Sequence, residues 1–189
     1  MQALQRKSSR DSILDAATYV LAHNPGASLG EIALKAGVGR ATLHRHFAKR
    51  EDLIRDLALR SIEEVNAAVA DTVDMDADPP TALRQLFAAT VPLGDKYQFL
   101  CSEMSGYDAE VSAVYETQLV WLVPVVERLQ ADGHLGQHVS TDWAITMIDA
   151  IIWAAWSAVH DGSIARRDAA QLAYETFMNG LGARPAAPD

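Results

Sequence analysis

The stretch Ser28 to Leu53, SLGEIALKAGVGRATLHRHFAKREDL, decides how the rest of the chain is read. It opens on Ser28-Leu29-Gly30-Glu31, a capping box. The serine hydroxyl is placed to accept from the N–H three residues on while the glutamate reaches back to the N–H of Ser28, so a helix starts there. Ile32, Ala33 and Ala36 give that helix an apolar face, and Gly37 ends it. After Gly37-Val38-Gly39 a second short helix, Arg40 to Phe47, turns Leu43 inward and leaves Arg40, Thr42, His44 and Arg45 on faces that a buried helix does not tolerate. Two short helices around a tight glycine-containing turn, the second with outward polar side chains, are what a helix-turn-helix requires. Ala33 is small where the helices cross, and Val38 and Leu43 plug the little core.

On the amino-terminal side, Ile13, Leu14, Ala17, Val20 and Leu21 follow a helical period, and Asn24-Pro25-Gly26 stops it with three successive breakers. On the other side a long amphipathic helix is predicted from about Arg50 to Asp71, with Leu53, Ile54, Leu57, Ala58, Ile62, Val65 and Val69 inward. The acid-rich segment Asp71 to Asp78, followed by Pro79-Pro80, reads as a hinge or linker. Beyond it helices are predicted near 81–93, 96–105, 108–131, 141–160 and 167–181, separated by Gly133, Gly136 and Gly162, with Gly182 after the last. Pro124 should kink the helix that contains it. No alternating β-branched stretch bounded by turns reads as a strand, so the fold class is all-α.

Charge separates the chain into two parts with different partners. Residues 1–60 hold ten lysines and arginines against six acids, a net +4, whereas the rest holds six against nineteen, a net −13, within an overall charge of −9. A basic amino-terminal module suits phosphate, and the acidic remainder would be repelled by it. Arg6, Lys7 and Arg10 read equally as an arm tracking DNA or as a basic tail. Met1 to Arg10 is polar and unlike a signal segment, so a cytoplasmic protein is expected. The lone cysteine, Cys101, excludes an internal disulfide or zinc framework and reads as a small buried apolar residue. Trp143 to Val159 is apolar almost all round, but Asp149 within it argues against a membrane span.

The constellations of an enzyme are missing. There is no H-E-x-x-H, G-x-S-x-G or phosphate loop. His134 and His138 have helical spacing but flank Gly136 in a loop, and Glu63 and Glu64 point in different directions on one helix. An all-helical enzyme is the weaker rival reading; no cofactor and no metal are expected.

The segment from Ser28 resembles the amino-terminal domain of TetR-family (tetracycline repressor-like) regulators. Ser28, Ile32, Ala33, Ala36, Gly37, Val38, Thr42, Leu43, His46, Phe47 and Leu53 match that family's pattern in order and without a gap. Gly39, Ala41, His44 and Lys49 depart from it, standing where serine, glycine, tyrosine and serine are usual. The resemblance implies an amino-terminal three-helix DNA-binding domain followed by about six regulatory helices. The corresponding divisions are 1–50 for the arm and helix-turn-helix, 51–72 for a connecting helix, 73–182 for ligand sensing and dimerisation, and 183–189 for a tail. It implies a homodimer on double-stranded DNA, with recognition helices about 34–36 Å apart on a near-palindromic site. Ser28, Arg40, Ala41, Thr42, His44, Arg45, His46, Lys49 and Arg50 are the expected DNA-binding residues. Among them Arg40 and Thr42 would face bases, with His44, His46, Lys49 and Arg50 at phosphates.

In the acidic part, Tyr97, Phe99, Met104, Tyr107, Tyr115, Trp121, Trp143, Met147, Trp153 and Trp156 read as core or as pocket wall. The resemblance implies an effector cavity among the middle helices, for which Phe99, Glu103, Trp121 and Met147 are the candidate wall and a small apolar or aromatic molecule the candidate effector. Ile152 and Trp156, with Leu172, Ala173, Phe177 and Gly180 from the last helix, are the candidate dimer interface, a four-helix arrangement. Control by a partner protein through the same helices is the alternative.

Overall fold

A computed structural model describes residues 8–100, 109–136 and 138–181. Every regular element of more than one residue among them is helical, as the apolar periodicity requires. The helices are α1 (Ser9–His23), α2 (Leu29–Ala36), α3 (Arg40–His46), α4 (Arg50–Thr72), α5 (Pro79–Thr90), α6 (Gly94–Tyr97), α7 (Ala109–Leu119), α8 (Leu122–Ala131), α9 (Thr141–His160) and α10 (Arg166–Leu181), with a 3₁₀ turn at Val91–Leu93 before α6. Side-chain caps start several of them. Ser8 accepts from the Asp11 N–H, Asp78 from Thr81, and Ser140 from Trp143. Each such cap is worth about 1 kcal/mol.

Two apolar cores form, and α4 runs through both. The amino-terminal core joins Ile13, Ala17 and Leu21 of α1, Ile32 and Ala33 of α2, Leu43 of α3, and Leu53 and Leu57 of α4. It does not stop at the DNA-binding helices: Tyr97, Phe99, Leu100, Val111 and Trp156 are packed into it as well. The second core gathers Val69 of α4 with buried residues of α5, α8, α9 and α10. A single rigid helix therefore connects the two halves.

The acidic segment after α4 is pinned, in place of the free hinge its composition suggested. The Arg128 guanidinium donates to the carbonyls of Met75 (2.6 Å) and Ala77 (2.5 Å), and the Asp74 N–H donates to the Gln85 side chain at 2.8 Å. The helix expected over 108–131 is broken instead of kinked. Pro124 has no N–H for the Val120 carbonyl and its ring clashes with that carbonyl, so α7 and α8 are separated at Val120-Trp121. The freed carbonyl is taken by the Val123 N–H at 3.1 Å. The 96–105 helix is only partly testable, since 101–108, with Cys101, Glu103, Met104 and Tyr107, lie outside the described residues, as do Arg6, Lys7, Gly182 and the 183–189 tail.

Helix α9 is 20 residues long with a mean hydropathy of 1.2, enough by length and composition to cross a membrane. Ala144, Ile148, Ala155 and Trp156 on one side of it are buried in the bundle, while Trp143, Ala150 and Ala154 on the other are exposed.

Candidate DNA interface and effector cavity

The helix-turn-helix is built as its sequence dictates. The Ser28 hydroxyl accepts from the Glu31 N–H at 3.3 Å, and the Glu31 carboxylate accepts from the Ser28 N–H at 2.7 Å and its hydroxyl at 2.8 Å. The Ser28 backbone N–H, and then its hydroxyl, hold the Glu31 carboxyl below its ordinary pKa. Gly37 closes α2 at φ +68°, a left-handed conformation that a side chain would strain. Gly39 starts α3 without a side-chain cap.

Arg40, Ala41, His44, Arg45, His46 and Lys49 are all exposed, and Thr42 is half-buried with its hydroxyl accepting from Arg45 at 3.1 Å. The Arg40 guanidinium folds across the start of α2; its terminal nitrogen lies 3.4 Å from where a Cβ on Gly30 would sit. Ser28, Leu29, Gly30, Arg40, Leu43 and His44 together line an open depression of about 290 Å³. A cation lying over the start of a helix is an arrangement that suits phosphate.

Arg50 does something the sequence did not suggest. From the first position of α4 its guanidinium donates to the carbonyls of Ala27 (2.7 Å) and Pro25 (2.6 Å), clamping the loop that leads into α2. The side chain expected at a phosphate is thus engaged in holding the motif's shape. Arg10 is anchored likewise: it pairs with Asp56 and lies 5.6 Å over the Phe47 ring. That takes it out of any free amino-terminal arm.

Between α4, α5, α7, α8 and α9 lies an apolar cavity of about 60 Å³, walled in part by Ile62, Leu86, Trp121, Ile148, Ile152, Trp153 and Trp156. Its polar groups are few. The Tyr115 hydroxyl donates to the Asp149 carboxylate and accepts from the Trp153 Nε1–H at 2.9 Å, and the Trp156 Nε1–H donates to the Thr90 carbonyl at 3.1 Å. Burial, opposed by hydrogen bonds from Tyr115 and Trp153, raises the Asp149 pKa above its ordinary value. An open groove of about 700 Å³ runs beside the cavity between α4 and α7, and the two share Gln118 and Trp121 as a dividing wall.

Of the expected pocket residues, Trp121 lies on this cavity. Phe99 does not: it is buried in the amino-terminal core, because the residues after α6 pack under α1 and α4. Met147 packs against the second core from the far side of α9, and Glu103 is outside the described residues. Tyr115 and Trp153, which the sequence left open as core or pocket wall, line the cavity, and so does Asp149, which the sequence used only against a membrane span. The available signal was Asp149 itself, a charge in the middle of an apolar helix.

The expected interface residues also divide. Ile152 and Trp156 turn onto the cavity, and Ala173 and Phe177 are buried within their own chain, at 4% and 1% exposure. Ala173, though buried, also lines a surface groove beside Leu172. Leu172 and Gly180 do point outward. An apolar surface groove formed by Ala154, Ala158, Ile164, Leu172 and their neighbours lies between α9 and α10.

A polar chain connects the halves. Arg60 of α4 pairs with Asp15 of α1 (2.7 Å) and Glu64 (3.3 Å), and Glu64 pairs in turn with Lys96 of α6 (2.9 Å). Trp156 touches both the cavity and α6: a Cβ on Gly94 would fall 2.5 Å from its indole, so glycine is what lets α6 lie against that ring.

Among the described residues no group of three or more His, Cys, Asp or Glu side chains is placed to hold a metal ion. The family model of bacterial regulatory proteins, tetR family, matches residues 13–57, which spans α1 to the first part of α4. The HTH-type transcriptional repressor LfrR of Mycolicibacterium smegmatis is 35% identical over 159 residues, covering 83% of this chain and 82% of LfrR. The crystal structure of the TetR-like regulator LfrR from Mycobacterium smegmatis in complex with proflavine superposes with a TM-score of 0.76 at 31% identity, over 92% of this chain and 96% of that one. The fatty acid degradation regulator FadR from Bacillus halodurans, at 19% identity, shares the fold with a TM-score of 0.76 over 95% of this chain and 100% of its own. These relatives are regulators and not enzymes. With the helix-turn-helix and helical bundle described above, they show that this chain belongs to the TetR family of bacterial regulatory proteins.

Proposed function

We propose that the chain is a ligand-responsive transcriptional repressor, acting in the cytoplasm, that binds a near-palindromic operator as a homodimer and releases it when a small aromatic molecule occupies the cavity. The observation that carries this reading is the coexistence of an exposed cationic helix-turn-helix with a separate aromatic cavity farther along α4. Similarity over most of the chain to LfrR, a repressor whose relative structure holds proflavine, supports the same roles here. A concave cavity walled by aromatic side chains favours a small effector over control by a partner protein.

Arg40, Arg45, His44, His46 and Lys49 would meet DNA, with the depression beside Arg40 seated on a phosphate. The second copy would cover the exposed apolar side of α9 together with Leu172 of α10, in an isologous contact. The effector's influence would run through Trp156 of α9, which lines the cavity and packs against Gly94 of α6, to the packing of Tyr97 under α1 and to the Lys96–Glu64–Arg60–Asp15 chain. A ligand that displaces that indole shifts α6 and with it the spacing of the two recognition helices.

The test is fluorescence anisotropy of the purified protein with DNA flanking its own gene and with scrambled DNA, across a salt series and then with added effector. Selective, steeply salt-dependent binding that is reversed by a cavity ligand is expected. Equal weak binding to both DNAs, followed by no enrichment in a random-site selection, would overturn it.

A further inference from the structure

We propose that the effector is a planar aromatic cation, and that the Asp149 carboxylate is its anchor within the aromatic walls of the cavity. This rests on reading the cavity as the effector site. Asp149 sits midway along α9 among Ile148, Ile152 and Trp153, facing an apolar space. Among the described residues, the titratable side chains on that lining are Asp149 and Tyr115, with no lysine, arginine or histidine beside them. The carboxylate accepts from a neutral donor, the Tyr115 hydroxyl, which in turn accepts from the neutral Trp153 indole N–H. Such donors fix its direction and leave its charge unbalanced. A desolvated carboxylate without a counter-charge is costly, and a cation brought by a ligand would offset that cost.

The surroundings favour a flat, delocalised cation over a small hydrated one. Trp153 and Trp156 meet edge to face with ring centroids 4.9 Å apart, and Trp121 also lines the cavity. Indole faces attract cations, most strongly where water is excluded. A compact ammonium ion would surrender its hydration without gaining that contact area. The 60 Å³ cavity is far below the roughly 300–1,000 Å³ of a drug-sized pocket and is too small for a three-ring molecule. Movement of Gln118 and Trp121, the shared wall, would join it to the 700 Å³ groove and provide the length required.

Two three-ring probes of similar size separate charge from shape: proflavine, an acridinium cation near neutral pH, and acridone, which is neutral. Isothermal titration calorimetry of the full-length protein, without DNA because proflavine itself binds DNA, should show proflavine bound about tenfold or more tighter than acridone. Asp149→Asn, checked for folding by circular dichroism, should abolish that preference, and Asp149→Glu should retain it. Equal affinities in the wild-type protein would overturn the assignment whatever the fate of the variants. A preference for proflavine that persists in folded Asp149→Asn would overturn Asp149 as the anchor. Binding of neither probe to the wild type would overturn the effector cavity itself, and with it the proposal.

Discussion

Replacing Arg50 by alanine distinguishes a structural clamp from a DNA contact. The guanidinium makes two hydrogen bonds, to the carbonyls of Ala27 and Pro25, and Ala27 is buried at 1% exposure whereas Pro25 is exposed. Hydrogen bonds to charged groups contribute about 1.5–3 kcal/mol net. Water can replace the donor at Pro25 but reaches Ala27 poorly, so the loss should be close to one such bond, about 2 kcal/mol. For a domain of this size that lowers Tm by about 4–8 °C. The assay is thermal unfolding followed by circular dichroism, run beside DNA titrations in a salt series. Arg50→Lys keeps the charge but loses the two-pronged geometry, and should fall by a similar amount. The slope of log K against log salt should be unchanged in both. An unaltered Tm in Arg50→Ala, with the slope reduced by about 0.9 per protomer, would refute the clamp and restore the phosphate contact.

Arg40→Ala, read out in the same salt series together with a site selection, should weaken binding by about 1–3 kcal/mol. A uniform loss with a shallower slope fits the phosphate depression, relaxed choice at one base pair fits the groove contact, and no change in either excludes both. Leu172→Glu, at a residue 44% exposed in the single chain, should leave the fold intact and give monomers in sedimentation; a full dimer would remove α10 from the interface. Phe177→Glu should instead unfold the chain, since that side chain is buried within it. Burial raises the Asp149 pKa in the folded state, so the folded chain holds that proton more tightly than the unfolded one. Stability without ligand therefore falls as pH rises from the ordinary carboxylate range through the raised value. Asp149→Asn should be more heat-stable than the wild type above that window, by about 2–4 °C, with the difference vanishing below it; a less stable variant at neutral pH would contradict the burial argument.

The amino-terminal half was legible because its signals are local. A capping box, a left-handed glycine and a short apolar period fix Ser28, Gly37 and Leu43 whatever lies elsewhere. The Arg50 clamp was not legible because its partners, 23 and 25 residues earlier, are backbone carbonyls that leave no trace in composition. The regulatory half depends on which side of each helix meets which neighbour. Along α9 nearly every position is apolar, so Trp156 and Ile152 were as readily placed outside as inside. Phe99 was misplaced for a related reason: the turn from α6 carries it under the DNA-binding core, and nothing near it in sequence announces that turn.

Helix α7 now takes on a thermodynamic meaning. Separated from α8 by the break ahead of Pro124, it has eleven residues, of which only Val111 and Gln118 are buried. A helix of that length has almost no stability of its own in water, and two buried side chains add little. It should therefore open at a small fraction of the free energy needed to unfold the bundle, and its amides should exchange with solvent long before those of α9. The way into the cavity is then a local melting event built into the wall. The apparent affinity of any effector will carry the cost of that opening, and a substitution that stiffens α7 will slow arrival and departure together while leaving the DNA-binding helices untouched.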